Sequence, residues 1–447
     1  MSAKAVIHPK LAEHLAGYDH VVVSYADADG YPVNVATGFR VDTETGRIDI
    51  DRFEAPDVPG DGTEVELTFS HVRPQPGVGY DQRRYVNVWG PLATASGRWV
   101  VEPARTTGWD EERVPFFEYC ERNVPRAHRY MEALSAERGV EIRPTLPLGW
   151  RLFLATRVPF LTATLVPVFL GAVVARAHGE SAWWWVMLAF LGAACIHLGL
   201  NVVNDIYDTE SGADEANVTP TPFSGGSRVL QHGLVSPGFM RALAVGFFAA
   251  GIGIGLFLAA TRATEILWLG VAGVFLSIFY TAPPVKLVYR GLGDLAVAIG
   301  FGPIMVLGTY AVVTGRLDGE ALYASLPVAI LVMLILYVNQ VPDRHGDVQA
   351  GKRTLAVRLG ARAVIGGYDV AAIAAFALIA LGGLTGVMPA WTLLALLPAP
   401  LAVKVHRGLV THYEEPYGLM PAMGANIGLH ALVGLLLILG YVLDVAV

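Results

Sequence analysis

Asn204, Asp205 and Asp208, with Asp214 close behind, make one set of oxygen-bearing side chains; Asn339, Asp343 and Asp347 make a second, at steps of four residues. Both sets close long apolar segments. Asp205 and Asp208 are three apart, so on a continuing helix they share a face, with Asn201 and Asn204 one turn back. Carboxylates this close repel one another, and the dipole at a helix C-terminus adds to the cost. A divalent cation would cancel both penalties. Carboxylate and amide oxygens are hard ligands of the kind Mg2+ takes, and Mg2+ commonly completes its shell with water and phosphate oxygens. Two such sets at the ends of membrane helices would hold opposite sides of one diphosphate. Pro342 interrupts the second ladder; lacking an N–H, it is expected to kink or break the helix there and turn ligands toward a cavity.

A diphosphate also needs cations, both to bind it and to stabilise it as it leaves. The loop Phe223-Ser224-Gly225-Gly226-Ser227-Arg228 offers backbone donors and a guanidinium, and Tyr280-Thr281-Ala282-Pro283-Pro284-Val285-Lys286 brings a lysine to the end of a span. Arg344, Lys352 and Arg353 follow the second acidic set. Lys286 and Arg228 are the favoured pair, whereas Arg358 and Arg362 are read as topology and solvation.

The elements that must position these groups are membrane helices. The chain has 447 residues, of which 53% are hydrophobic and 16% charged, with a mean hydropathy of +0.47. Residues 1–149 carry 23 acidic and 16 basic residues, and residues 150–447 carry 16 of each, so a soluble acidic region precedes an embedded one. The expected division is a soluble domain over 1–145 and a membrane domain over 150–447. Nine apolar segments follow Trp150, at 152–175, 182–203, 240–260, 265–282, 293–314, 323–340, 363–384, 388–404 and 425–445, each near the roughly 20 residues a bilayer core requires. Thirteen basic residues, Arg157, Arg228, Lys286 and Lys352 among them, collect on one side of this arrangement, against Arg176, Arg262 and Arg316 on the other. That bias puts both acidic sets and the N-terminus in the cytoplasm, with Val447 outside. The first thirty residues hold no long apolar core, so no signal peptide is expected. Cys120 and Cys195 are the only cysteines, one on each side of the division, which argues against a disulfide framework. The acidic balance and the lack of a basic stripe give no reason to expect a nucleic-acid partner.

With these motifs in order, residues 150–445 resemble the UbiA superfamily of intramembrane prenyltransferases. The resemblance is carried by Asn204-Asp205-x-x-Asp208 with Gly212 and Asp214, Gly225-Gly226-Ser227-Arg228-Val229-Leu230, Tyr280-Thr281-Ala282-Pro283-Pro284, Gly291-Leu292-Gly293-Asp294 and Asp343-x-x-x-Asp347. Ala350-Gly351-Lys352-Arg353-Thr354-Leu355-Ala356-Val357-Arg358-Leu359-Gly360 is similar to the signature of the menaquinone branch, the 1,4-dihydroxy-2-naphthoate polyprenyltransferases. Val341-Pro342, and Asp294 where that branch has glutamate, depart from its pattern and leave the acceptor open.

The resemblance implies a polyprenyl diphosphate donor, an aromatic acceptor and Mg2+, in the cytoplasmic membrane of a prokaryote. It implies metal ligands Asp205, Asp208, Asp343 and Asp347, joined by Asp214 and Asn339, and diphosphate contacts from Asn204, Arg228, Lys286, Lys352 and Arg353. Lys286 and Arg228, with Asp208 and Asp343, would assist the diphosphate to depart, and the apolar bundle would shelter an allylic cation and take a lipid-borne tail. Tyr207 and Tyr280 lie near this chemistry, with packing as their more common role.

The region before the membrane reads as short strands, with candidates at Val21–Tyr25, Tyr31–Val41, Arg47–Ile50, Val65–Ser70, Arg84–Trp89 and Arg98–Val101, then a helix within 111–138. Its order of elements resembles the split-barrel proteins related to pyridoxamine-phosphate oxidase, many of which bind flavin mononucleotide (FMN). That resemblance implies a small β-barrel, with Arg83 and Arg84 as candidates for a flavin phosphate. The fold class expected is therefore an all-α bundle of nine transmembrane helices preceded by a soluble split barrel. Transfer to another aromatic acceptor, or a membrane-anchored flavin-binding oxidoreductase, are the competing functions.

Overall fold

The computed structural model describes residues 9–55, 57–75, 79–95 and 97–447; residues 1–8, at the start of the stretch considered for a signal peptide, lie outside them. The chain divides into two compact units, Met1–Cys120 and Glu121–Val447.

The first unit opens with helix α1 (Pro9–Leu15), followed by β1 (Val21–Ala26), β2 (Pro32–Thr37), β3 (Phe39–Val41), β4 (Ile48–Ile50), β5 (Glu64–Gln75), β6 (Gly79–Ala95), β7 (Arg98–Val101) and β8 (Arg105–Asp110). Alternation in β1 and β4 sends Val21, Val23, Ile48 and Ile50 inward to meet Leu67 and Phe69 of β5, each at most 1% exposed. Burying each such side chain contributes about 1.5–3 kcal/mol. The strand expected over Tyr31–Val41 is two strands, broken at Gly38, where a Cβ would fall 2.3 Å from Asp51 Oδ2.

The strands pair antiparallel in the order β2-β1-β5-β6-β7-β4-β3, with β8 on β6. Among the described residues this ladder runs from β2 to β3, and the structure shows an antiparallel sheet where a small barrel was expected. Arg83 is committed: its guanidinium makes a bidentate ion pair with Glu111, at 2.5 and 3.0 Å, and lies 4.2 Å from the Phe116 ring. Arg84 packs 5.6 Å from the Tyr18 ring. The first residue offered for a flavin phosphate therefore does not fit that role.

The second unit continues helix α2 (Phe116–Arg138) and then runs through α3 (Leu148–Thr156), α4 (Thr162–Ala177), α5 (Trp183–Glu210), α6 (Ala213–Ala216), α7 (Pro237–Thr261), α8 (Glu265–Phe279), α9 (Gly293–Ile299), α10 (Met305–Thr314), α11 (Gly319–Gln349), α12 (Leu355–Arg358), α13 (Ala361–Thr385), α14 (Ala399–His412) and α15 (Met420–Ala446). Among the described residues, eight helical stretches are long and apolar enough to cross a membrane: Val158–Ala177, Trp183–Glu210, Pro237–Thr261, Gly293–Thr314, Gly319–Gln349, Ala361–Thr385, Ala390–His412 and Met420–Ala446. The ninth expected span, 265–282, is the 15-residue α8, about 22 Å long against a hydrocarbon core of about 30 Å.

Close backbone approach holds the bundle together. A Cβ on Gly434 would lie 2.2 Å from Val166, one on Gly171 2.4 Å from the Val306 carbonyl, and one on Gly302 2.3 Å from Ala329. Small residues at such crossings let helices meet where lipid offers no hydrophobic drive. Helix α11 continues through Pro342 instead of breaking, so Asn339, Asp343 and Asp347 stay on one helical face.

Candidate active site

The C-terminal ends of α5 and α11 bring the two acidic sets to one cavity of about 200 Å³. Asn204 and Asp208 reach it from α5, Asn339, Asp343 and Asp347 from α11, and Asp214 from α6. Three of the four carboxylates are buried, Asp208 at 5% exposure, Asp214 at 4% and Asp347 at 7%, and Asp343 is half-buried. Asn204 Nδ2 donates to Asp208 Oδ2 at 3.0 Å. Asp343 accepts from Asn217 Nδ2 at 2.9 Å and from the Gly225 amide at 3.1 Å. Asn339 Nδ2 donates to the Phe223 carbonyl at 2.9 Å, which ties the loop Phe223–Arg228 to α11. Gly226 lets this loop close on Asp214, because a Cβ there would lie 2.8 Å from the carboxylate.

Lys352 enters the same cavity by way of the end of α11. Gly351 takes a left-handed conformation (φ 73°), the Gly351 amide donates to the Val348 carbonyl, and the Lys352 amide donates to the Asp347 carbonyl at 2.8 Å. This paired Schellman closure turns the chain back on the helix it has just left. The Lys352 ammonium then sits 2.7 Å from Asp208 Oδ1 and 3.7 Å from Asp347 Oδ1. Burial works against its charge, yet Asp208 and Asp347 outweigh it and hold the ammonium above its ordinary pKa. Asp214 is pushed well above the usual carboxylate range, first by burial and then by Asp208 and Asp205.

Arg157, half-buried, is the second cation at the cavity, and sequence reading treated it as topology alone. It adopts a left-handed conformation (φ 53°) between α3 and the 3-10 turn Val158–Leu161. Its Nη2 meets Asp205 Oδ1 at 2.8 Å, and it lines the cavity. Burial disfavours its charge, but Asp205, Asp214, Asp208 and Asp343 together raise its pKa.

The expected residues thus separate. Asn204, Asp208, Asp214, Asn339, Asp343, Asp347 and Lys352 line the cavity, whereas Asp205, Arg228, Lys286 and Arg353 are not among its lining residues. Asp205 is turned to Arg157 and to the Ser227 amide at 3.2 Å. Arg228 pairs with Glu121 at 2.6 Å and donates to the Asp214 carbonyl. Lys286 Nζ lies 4.8 Å from the Tyr289 ring centroid, and Arg353 is exposed. Asp294 accepts from Gln340 Nε2 at 3.1 Å on both oxygens, and Gln340 itself lines the cavity. Tyr280 lines it as well; Tyr207 does not.

A second cavity, of about 450 Å³ and almost wholly apolar in its lining, lies among α5, α7, α8, α9 and α10. His197, Leu200, Tyr280, Val297 and Phe301 line both cavities and form their common wall. His197 is held there by Thr164 Oγ1 at 2.8 Å from Nδ1. Embedded in an apolar run, it gave no sequence signal beyond being a histidine inside a span.

Residues 164–417, more than half of the chain, match the UbiA prenyltransferase family. The chain belongs to that family. It is 28% identical over 299 residues to a protein named 1,4-dihydroxy-2-naphthoate octaprenyltransferase from Bacillus subtilis (strain 168), covering 66% of this chain and 94% of the relative. A protein of the same name from Mycobacterium tuberculosis (strain ATCC 25618 / H37Rv) is 32% identical over 248 residues, covering 55% of this chain and 80% of the relative. Among solved structures, the apo form of a UbiA homolog from Aeropyrum pernix K1 superposes with a TM-score of 0.47 at 18% identity, over 63% of this chain and 98% of that one.

For this UbiA-family prenyltransferase, an integral membrane protein, the chemistry of the cavity also bears on metal binding. Four carboxylates and the amides of Asn204, Asn217 and Asn339 converge on it, and Asp208 Oδ1 is sealed from solvent with only the Lys352 ammonium at hand. This all-oxygen donor set fits Mg2+. Buried charge left in such excess over Lys352 and Arg157 is otherwise costly.

Proposed function

We propose that this protein transfers a polyprenyl group from polyprenyl diphosphate to 1,4-dihydroxy-2-naphthoate, a step of menaquinone biosynthesis. The observation that carries the reading is the shared wall: a small acidic cavity holding Lys352 adjoins a larger apolar one across five residues. An allylic diphosphate has the same two halves. The curated relatives named for this acceptor supply its identity.

Asp208, Asp214, Asp343 and Asp347, with Asn204 and Asn339, would hold Mg2+. When bound, the metal supplies Lewis-acid neutralisation of the diphosphate oxygens. Lys352 and Arg157 add the protein's own positive charge, exchanging aspartate partners for phosphate oxygens as the donor enters. Charge develops on the leaving diphosphate as its bond to the allylic carbon breaks and the electron pair stays on oxygen. Fixed cations at that point lower the barrier. The wall of His197, Leu200, Tyr280, Val297 and Phe301 keeps water from the allylic carbon and leaves room for an aromatic ring to attack it. The acceptor's carboxylate departs as carbon dioxide, its bonding electrons returning to the ring.

We read the basic-residue bias as support for an acidic cavity on the cytoplasmic side, with residues 1–145 as a cytoplasmic domain. The test is incubation of purified protein and Mg2+ with labelled polyprenyl diphosphate and a panel of aromatic acids. Acceptor-dependent diphosphate release that needs Asp208 and Asp343 is expected; release that persists in Asp208→Ala and Asp343→Ala would remove the assignment.

A further inference from the structure

Glu121 lies on α2, ahead of the family match, and reaches the loop that closes on the acidic cavity. Its Oε2 accepts from Arg228 Nη2 at 2.6 Å and its Oε1 pairs with His232 Nε2 at 2.9 Å, while its side chain is 9% exposed. Arg228 is therefore held at both ends of its guanidinium, by Glu121 on one side and by the Asp214 carbonyl on the other.

The backbone of Arg228 makes that grip consequential. It stands at φ 61°, a left-handed conformation that a non-glycine residue keeps only where its surroundings over-determine it. Just upstream, the Ser227 amide donates to Asp205 Oδ2 at 3.2 Å and the Gly225 amide to Asp343 Oδ2 at 3.1 Å. These two amides meet one carboxylate from each acidic set. Downstream, the His232 amide donates to the Arg228 carbonyl at 2.9 Å, closing the turn that Glu121 spans. An arginine in a strained conformation thus sits between a buried glutamate and the amides that orient the acidic sets.

We propose that Glu121 is a positioning residue for prenyl-diphosphate binding: by gripping Arg228 and His232 it fixes the loop 225–232 against Asp205, Asp214 and Asp343. The inference rests on the donor assigned under the proposed function. It sets a contact outside the family match to work on the donor side of the reaction, leaving the aromatic acceptor untouched.

The full-length Glu121→Ala protein, assayed with Mg2+ and polyprenyl diphosphate, should show KM values for donor and metal raised about tenfold, with acceptor KM within about twofold and kcat within about threefold. Glu121→Gln keeps an oxygen acceptor for Arg228 and should recover part of the loss. A variant that merely folds less well would lose kcat with every KM unchanged, and that result overturns the proposal. So does an equal rise in both substrate KM values. Hydrogen exchange supplies a readout independent of activity: amides of 225–232 should exchange at least about tenfold faster in Glu121→Ala, or in Glu121→Gln should the alanine variant not fold, while those of α11 keep their rates. Unchanged exchange in the loop overturns the clamp. A wild-type protein that transfers no prenyl group would sink the functional reading instead, and the exchange experiment would still decide the role of Glu121.

Discussion

The two ends of the helical bundle both set acid beside base, but they balance it differently. At the ends of α4 and α11 away from the acidic cavity, His178 Nε2 meets Glu320 Oε2 at 2.9 Å, its Nδ1 meets the Tyr310 hydroxyl at 2.7 Å, and the Tyr441 hydroxyl donates to Glu320 Oε1 at 2.9 Å. Each polar atom there has its partner. At the other end, Asp205, Asp208, Asp214, Asp343 and Asp347 face two cations, the half-buried Arg157 and the buried Lys352. A closed set of pairs is what structure requires, and an excess of one sign is what suits a site to a ligand of the other.

The largest test of this contrast is Asp343→Asn or Asp208→Asn. Each keeps the shape and removes a charge, and prenyl transfer should fall by about 10²–10³-fold in kcat/KM, measured as diphosphate release. Lys352→Ala follows, with an expected loss of about 10²-fold, because it strips the cation from the leaving group's side of the cavity. Gly270→Phe probes the apolar cavity, where a Cβ on Gly270 meets open space. A phenyl ring there should favour shorter donors by about tenfold in kcat/KM, read by competing donors of two lengths.

At the closed end, Glu320→Gln should leave transfer within about twofold while lowering stability by about 1 kcal/mol, seen as a reduced Tm. If it abolished transfer as Lys352→Ala does, the distinction between the two ends would collapse. The smallest effect concerns Glu121. Burial raises its pKa, but the His232 hydrogen bond and the Arg228 charge prevail and hold it below the ordinary 4.5. Its contribution to stability is therefore present above pH 4.5 and lost as pH falls through the depressed folded value. The Tm difference between wild type and Glu121→Gln should stay constant above pH 4.5 and shrink below it.

Much of this site could be read from residue spacing. The acidic sets stood out because carboxylates at apolar helix ends need an explanation, and Lys352 sat behind a glycine whose helix-closing role was itself readable. What could not be read was direction. Arg157 needed a left-handed residue that no arginine advertises, and Lys286 and Arg228 looked better placed than Lys352 because a loop's aim depends on contacts as distant as Glu121. Asp205 and Asp208 were expected to act together; Arg157 claims the first and leaves the second to the cavity. In the membrane region, segments 265–282 and 293–314 looked equivalent by composition, but the first builds the 15-residue α8 and the second a helical run of 22 residues. Strand β8 went unseen because Arg105–Asp110 lacks an apolar alternation; cation–ring and ring–ring pairs, Arg105 on Trp89 and Trp109 by Tyr85, accompany its backbone pairing to β6.

The knot of His178, Tyr310, Glu320 and Tyr441 joins the tails of α4, α10 and α15 to the start of α11. Those four helices are thus fastened to one another at the end of the bundle that carries no acidic cavity, so the bundle's structural ties and its excess of carboxylates are kept at opposite ends.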